Sequence, residues 1–170
     1  MCGRYLFRQE VDEEIERLLN ELPMDMKKEI SIHEVFPTQK TLVMDETQKL
    51  KVMQWGYPKW DSKGVVINAR SETIKDSNVF NNDLKQRRCI IKAKGFYEWN
   101  SDKEKNLVTP INEDYFYMAG LYTNEEIPQF AIITTASSEP FSSLHNRIPL
   151  MIPKAYLNTY LKDGYAAFED

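Results

Sequence analysis

Cys89-Ile90-Ile91-Lys92-Ala93-Lys94-Gly95-Phe96-Tyr97-Glu98-Trp99 is the stretch whose reading decides the fold. Its apolar runs, Cys89-Ile90-Ile91 and Phe96-Tyr97-Glu98-Trp99, are short and rich in β-branched or aromatic residues, so both read as strands around a Lys94-Gly95 bend. More strands follow: Tyr115-Phe116-Tyr117-Met118-Ala119 after a polar turn, Phe130-Ala131-Ile132-Ile133-Thr134 after Pro128, and Ile148-Pro149-Leu150-Met151. Upstream, Thr41-Leu42-Val43-Met44 and Leu50-Lys51-Val52-Met53 flank the polar Asp45-Glu46-Thr47 turn and read as a hairpin, and Val65-Val66-Ile67 reads as a short buried strand. Helices belong to the periphery. Val11, Ile15, Leu18, Leu19 and Leu22 recur at helical spacing until Pro23 closes the element. A short helix or two is expected between Ser71 and Lys85, anchored by Phe80, and Pro153 opens a terminal helix carrying Tyr156, Tyr160 and Leu161. Strands in series with peripheral helices make an α+β domain, mostly antiparallel β, built as a barrel-like sheet or two packed sheets.

A chain of 170 residues fits a single domain, residues 1–170, with room for a substantial core. Its 42% hydrophobic and 28% charged content is that of a globular protein in water. No apolar run approaches the ~20 residues of a membrane helix, and polar residues by position 9 leave no room for a charged-then-apolar leader. Two cysteines make no disulfide framework, so a cytoplasmic setting is the expectation. Cys2, His33, Cys89 and His145 lack zinc-ligand spacing, and neither metal nor cofactor is expected. A net charge of −4 argues against nucleic acid as a partner. Arg70, Lys85, Arg87, Arg88, Lys92 and Lys94 nevertheless concentrate mid-chain, which leaves room for a basic face within an acidic whole.

Several residues are candidates for chemistry. Loss of Met1, to an aminopeptidase or by the protein's own action, would leave Cys2 with an α-amine beside its thiol, a 1,2-aminothiol that captures an aldehyde twice and closes a thiazolidine ring. The two groups ordinarily titrate near ~8 and ~8.5, so both nucleophiles exist at neutral pH. Taken alone, Cys2 reads rather as part of an uncleaved, disordered chain start. Glu98 lies on the strand face opposite Tyr97 and Trp99, and a carboxylate among aromatics loses solvation, which suits it to donate a proton near neutrality. Its other reading is an exposed edge-strand glutamate. Asn68, directly after an apolar strand, reads either as a site residue or as a helix N-cap. His145 sits in a loop before a strand and by itself reads as surface, as does His33, whereas Cys89 reads as inert core.

Five segments now occur together in order: Met1-Cys2-Gly3-Arg4-Tyr5, Trp55-Gly56-Tyr57-Pro58-Lys59-Trp60, Ile67-Asn68-Ala69-Arg70-Ser71-Glu72-Thr73, Gly95-Phe96-Tyr97-Glu98-Trp99 and His145-Asn146-Arg147-Ile148-Pro149. With them the chain resembles the SOS response-associated peptidase (SRAP) family from Cys2 to about Pro153. The resemblance implies covalent capture of abasic sites in single-stranded DNA, after autoproteolytic loss of the initiator methionine. It casts Cys2 as the double nucleophile, Asn68 as the holder of the α-amine, Glu98 as the proton carrier of imine formation, and His145 as the aid to deoxyribose ring opening. It further implies that Arg4, Arg70 and Arg147 grip phosphates, and that Pro37 and Trp60 wedge or stack on bases. Arg4 and Arg70 beside Cys2 are expected to lower the thiol pKa. A monomer is expected. The other readings are a cysteine-type peptidase acting on other proteins and a non-covalent single-strand binder.

The chain departs from the family pattern in places. His33-Glu34-Val35-Phe36 stands where many members carry Tyr-Asn-x-Ala, so Glu34 brings negative charge toward the expected DNA path. Asn78 stands where many have arginine, and Asp61 where many have a second tryptophan. These differences imply weaker, more salt-sensitive binding.

Overall fold

The computed structural model describes residues 2–10 and 12–164 of the chain. Along it run β1 (Tyr5–Leu6), α1 (Glu13–Asn20), α2 (Met24–Glu29), β2 (Glu34–Val35), β3 (Lys40–Met44), β4 (Leu50–Trp55), β5 (Tyr57–Pro58), β6 (Val65–Val66) and β7 (Asn68–Arg70). Then come α3 (Asn81–Gln86), β8 (Arg88–Ala93), β9 (Gly95–Trp99), β10 (Lys105–Val108), β11 (Phe116–Tyr122), β12 (Gln129–Ala136), β13 (Arg147–Pro149) and α4 (Leu157–Asp163).

β11, β8, β3, β4 and β12 pair in that order, and β12 pairs back to β11, closing a five-stranded ring. The pairs are antiparallel except β4–β12, which is parallel. A second sheet runs β10-β9-β1-β2, entirely antiparallel. The fold is therefore α+β, and the barrel-like ring and the packed second sheet are both present. β8 and β9, consecutive in sequence, do not pair with each other but cross from the ring into the second sheet.

Successive residues of the ring strands divide between two apolar clusters. Cys89, Ile91, Met118, Phe130 and Ile132 pack with Tyr5, Val35 and Phe96 of the second sheet. Ile90, Ala119, Leu121, Ala131 and Ile133 pack with Leu84, Leu157, Tyr160 and Leu161 of α3 and α4. Strands covered on both faces read as unbroken apolar runs rather than as alternation, which is why the segments around Ile90 and Ile132 stand out in the sequence. Cys89 is fully buried in the first cluster, as core.

Other expectations need correction. Val65–Val66 is half-buried and pairs with β5 alone, an arm of a small hairpin rather than a core strand. The first helix stops at Asn20, leaving Leu22 beyond it, and Pro23 instead opens another, α2, whose polar Met24-Asp25-Met26-Lys27-Lys28-Glu29 sequence carries no apolar period to betray it. Asp12 caps α1, accepting from the amides of Glu14 and Ile15; Val11, read as that helix's first apolar position, lies outside the described residues. The mid-chain basic residues form no single face. Arg88 is buried, donating to the carbonyls of Leu84, Lys85, Tyr160 and Leu161, and so satisfies the C-terminal ends of both α3 and α4. Arg87 is engaged with Asp83.

Ring closure turns on Gly120 of β11, which pairs with Cys89 on one side and Ile132 on the other. A Cβ there would stand 2.5 Å from Ile91 Cδ1 and 2.8 Å from the Ala131 carbonyl oxygen. Gly120→Ala is expected to lower stability by about 1–3 kcal/mol through overpacking, read from urea midpoints, with Gly120→Val worse. Unchanged midpoints in both variants would contradict the closure described.

Candidate active site

The seam between the two sheets brings four of the sequence-predicted residues together. Cys2 precedes β1 and Glu98 lies on β9, both from the second sheet, while Asn68 opens β7 and His145 precedes β13, both attached to the ring. β12 sets the last two: Ile132 pairs with Asn68 on one edge, and Ala136 with Arg147 on the other.

Asn68 lies across the seam. Its Nδ2 donates at 3.3 Å to the Cys2 carbonyl, with the Ile67 and Ile132 carbonyls at 3.2 and 3.4 Å. Those contacts fix the amide's orientation and leave Oδ1 buried without a hydrogen-bond partner among the described residues. A buried acceptor of this kind suits a cationic or amine donor. The N-cap reading of Asn68 is therefore not the one realised; it sits in a strand.

Glu98 points inward with Phe96, and Tyr97 and Trp99 point outward, as alternation requires. β9 is an internal strand, held between β10 and β1, so Glu98 is no edge residue and is only 3% exposed. His145 Nε2 stands 3.9 Å from Glu98 Oε2. His145 Nδ1 lies 3.0 Å from the Arg147 backbone N–H, which donates to it, and 3.3 Å from the Arg147 carbonyl oxygen; with Nδ1 accepting the shorter bond, a neutral ring carries its proton on Nε2, facing the carboxylate. At that separation the two groups stand within ion-pair distance of each other but beyond hydrogen-bond length.

Cys2 is 1% exposed. Burial, followed by the nearby Glu98 carboxylate, pushes its thiol up to about 12, against a smaller lowering by the Arg4 backbone amide. This reverses the expectation of a cationic pocket. The Arg4 side chain turns instead to Phe36, Trp99 and Glu34, and Arg70 is exposed on β7.

The expected DNA-contacting residues divide into engaged and solvated groups. Arg147 is buried, with Nη1 and Nη2 donating to Glu72 at 2.6 and 3.0 Å and Nη2 also reaching the Thr134 carbonyl and hydroxyl. That bidentate grip holds the Glu72 carboxyl down to about 2. Glu72, within the Ile67–Thr73 segment, was not singled out from sequence, because nothing local ties it to a residue 75 positions later. Trp60 is 97% exposed in the loop between β5 and β6. Pro37 begins a tight turn in which the Gln39 amide returns to the Phe36 carbonyl and Thr38 adopts φ +73°. A β-branched residue at such φ is strained backbone. Among the described residues no group of three or more His, Cys, Asp or Glu is placed to hold a metal.

A closed five-stranded ring, a second antiparallel sheet and a cysteine-bearing N-terminal segment buried at their seam define the class of fold to which the chain belongs. The chain belongs to the SOS response associated peptidase (SRAP) family, whose model matches residues 1–169. It is 30% identical to the abasic site processing protein YoqW of Bacillus subtilis, over 89% of this chain and 76% of that protein. It is 28% identical to the abasic site processing protein YedK of Escherichia coli, over 89% and 75%. A crystal structure of a Bacteroides thetaiotaomicron protein shares the fold, with a TM-score of 0.73 at 22% identity over 95% of this chain and 81% of that one.

Two outcomes follow from the charges. Alkylation of Cys2, followed by peptide mass mapping, should keep rising with pH toward 12, and Glu98→Gln should shift the rise to lower pH by removing a like charge. A profile that Glu98→Gln leaves in place would contradict the assignment. Glu72 is depressed in the fold, so its contribution to stability is present above the ordinary carboxyl range and lost as pH falls through about 2. Glu72→Gln should therefore lose less stability than the parent between about pH 5 and pH 2 in denaturant titrations.

Proposed function

We propose that this chain processes abasic sites in single-stranded DNA by covalent capture through Cys2, once Met1 has been removed. The observation that carries the reading is the convergence of Cys2, Asn68, Glu98 and His145 at the seam from four separate chain segments. The names of the relatives, abasic site processing proteins in bacteria, yeast and vertebrates, support the substrate class.

An abasic deoxyribose is mostly a closed hemiacetal. The His145–Glu98 pair opens it by removing the anomeric hydroxyl proton and returning one to the ring oxygen. The α-amine of Cys2, received by Asn68 Oδ1, then attacks the aldehyde carbon, and the carbinolamine expels water with a proton from the same pair. A buried thiol pushed up to about 12 is neutral at this stage, so the amine reacts first. Sulfur adds to the imine carbon last, and its proton ends on nitrogen. One C–N and one C–S bond form, one water leaves, and no oxidant or reductant is needed. Removal of Met1 is hydrolysis of the preceding peptide bond, for which the Cys2 thiol is the nucleophile at hand. The product is a DNA–protein link, and the protein acts as a cytoplasmic monomer on the unpaired strand. Arg70 and Trp60, both solvated, are the first DNA contacts, and Pro37 on its strained turn is the wedge.

Incubation of Met1-free protein with an abasic single-stranded oligonucleotide should yield a heat-stable adduct on a denaturing gel. Cys2→Ala should abolish it, and Asn68→Ala and Glu98→Gln should slow it by about 10²-fold or more. Peptide cleavage without any adduct would instead favour a peptidase acting on other proteins, and oligonucleotide binding indifferent to Cys2→Ala a simple binder.

A further inference from the structure

The outer face of the second sheet carries a charged cluster that the pocket does not use. Since Phe96 and Glu98 point inward, Tyr97 and Trp99 look outward, and Lys105, directly across from Trp99 on β10, shares their face. The Arg4 guanidinium carbon sits 4.1 Å from the Phe36 ring centre and 5.1 Å from that of Trp99. Lys105 Nζ sits 4.2 Å from the Tyr97 ring centre. Both cations converge on one oxygen, Glu34 Oε1, at 3.3 Å from Arg4 Nη1 and 2.9 Å from Lys105 Nζ. The side chains of Arg4, Glu34 and Lys105 are 27, 33 and 40% exposed, so these pairs are open to exchange with solvent ions.

We propose that Glu34 is a built-in counter-ion, displaced from Arg4 and Lys105 by the backbone phosphates of an unpaired strand leaving the Cys2 pocket. This rests on the single-stranded DNA reading above and names how that reading is tuned in this chain. Charge complementarity selects the occupant: two cations share one carboxylate oxygen, whereas a phosphodiester offers each its own acceptor. Rings under the cations select it further, because Tyr97 and Trp99 present faces on which any base stacks. The cluster is also continuous with the pocket. Arg4 lies two residues after Cys2, and Trp99 directly follows Glu98, so short stretches of backbone join the cluster to the pocket. Lys105, then Arg4, holds the Glu34 carboxyl below its usual range, so it competes as an anion at neutral pH.

The consequence is thermodynamic. A phosphate that replaces Glu34 exchanges one partner for another, and the released carboxylate recruits a cation from solution. Net counter-ion release is smaller than the cation count implies, so binding is weak and its salt dependence shallow, the reverse of the greater salt sensitivity expected from the sequence.

The test measures non-covalent binding of a fluorescent oligothymidylate without abasic sites, by anisotropy over a salt series, to the full chain, Glu34→Gln, Lys105→Ala and the Glu34→Gln/Lys105→Ala pair. Glu34→Gln should bind about fivefold tighter at low salt, with a slope in log Kd against log salt steeper by about 0.7. Lys105→Ala should remove much of that gain. Arg70→Ala, outside the cluster, should weaken parent and Glu34→Gln by the same factor. If parent and Glu34→Gln bind equally with equal slopes, the counter-ion role is overturned while the DNA reading stands. If neither binds at any salt, both fail together. Binding by Glu34→Gln alone would support the role in its strongest form.

Discussion

Backbone hydrogen bonding along both edges of β12 is the constraint on which the site depends. One edge pairs first with β4 and then with β7, the other first with β11 and then with β13. The first partners close the ring, and the second partners lie beyond it, where Asn68 and the approach to Arg147 are held at fixed register. A one-residue slip would turn Asn68 to the opposite face and break its reach to the Cys2 carbonyl. Ile132 pairs with Asn68 while packing its side chain into the core, so the same residue that fills the interior also sets the register of the site.

The site is buried and sets a carboxylate beside a thiol, and this governs the protonation of the thiol. Cys2 shares the pocket with Glu98, and both are buried. Desolvation and a neighbouring carboxylate act in the same direction on a thiol, favouring the protonated form. A pocket of this kind stores a nucleophile rather than displaying one. Around that thiol the geometry sets a carboxylate and an imidazole 3.9 Å apart and an amide fixed by three carbonyls. The cations expected around the lesion are largely held in reserve: Arg147 by Glu72, Arg4 by Glu34.

Much of the architecture was legible along the chain. The β3–β4 hairpin reads directly from its polar turn, with Thr41 opposite Met53 as the pattern requires. The inward direction of Glu98 follows from period-two alternation alone. Phe80 anchors the region before α3, packing edge-on against Tyr57 at 5.0 Å between ring centres. The miss at α2 has a local cause, since a short polar helix held at a surface carries no apolar period. The miss at Val65–Val66 has a different one: β-branched residues mark a strand, but nothing in three of them tells how much neighbouring chain will cover it.

The charged residues divide along the same line. That Cys2, Asn68, Glu98 and His145 belong together was legible only from five segments occurring in family order, since His145 alone reads as surface and Asn68 alone as a helix cap equally well. Which way Arg4, Arg147 and the Cys2 thiol respond to their surroundings was not, because Coulomb energy and desolvation depend on distances between residues remote in sequence. The Glu34–Arg4 pair spans 30 positions and the Glu72–Arg147 pair 75. Local pattern determines strands, turns and the direction of a side chain from its own backbone. Partners, burial and protonation are set only when the two sheets meet, since a seam is a property of the packed chain and of no single segment in it.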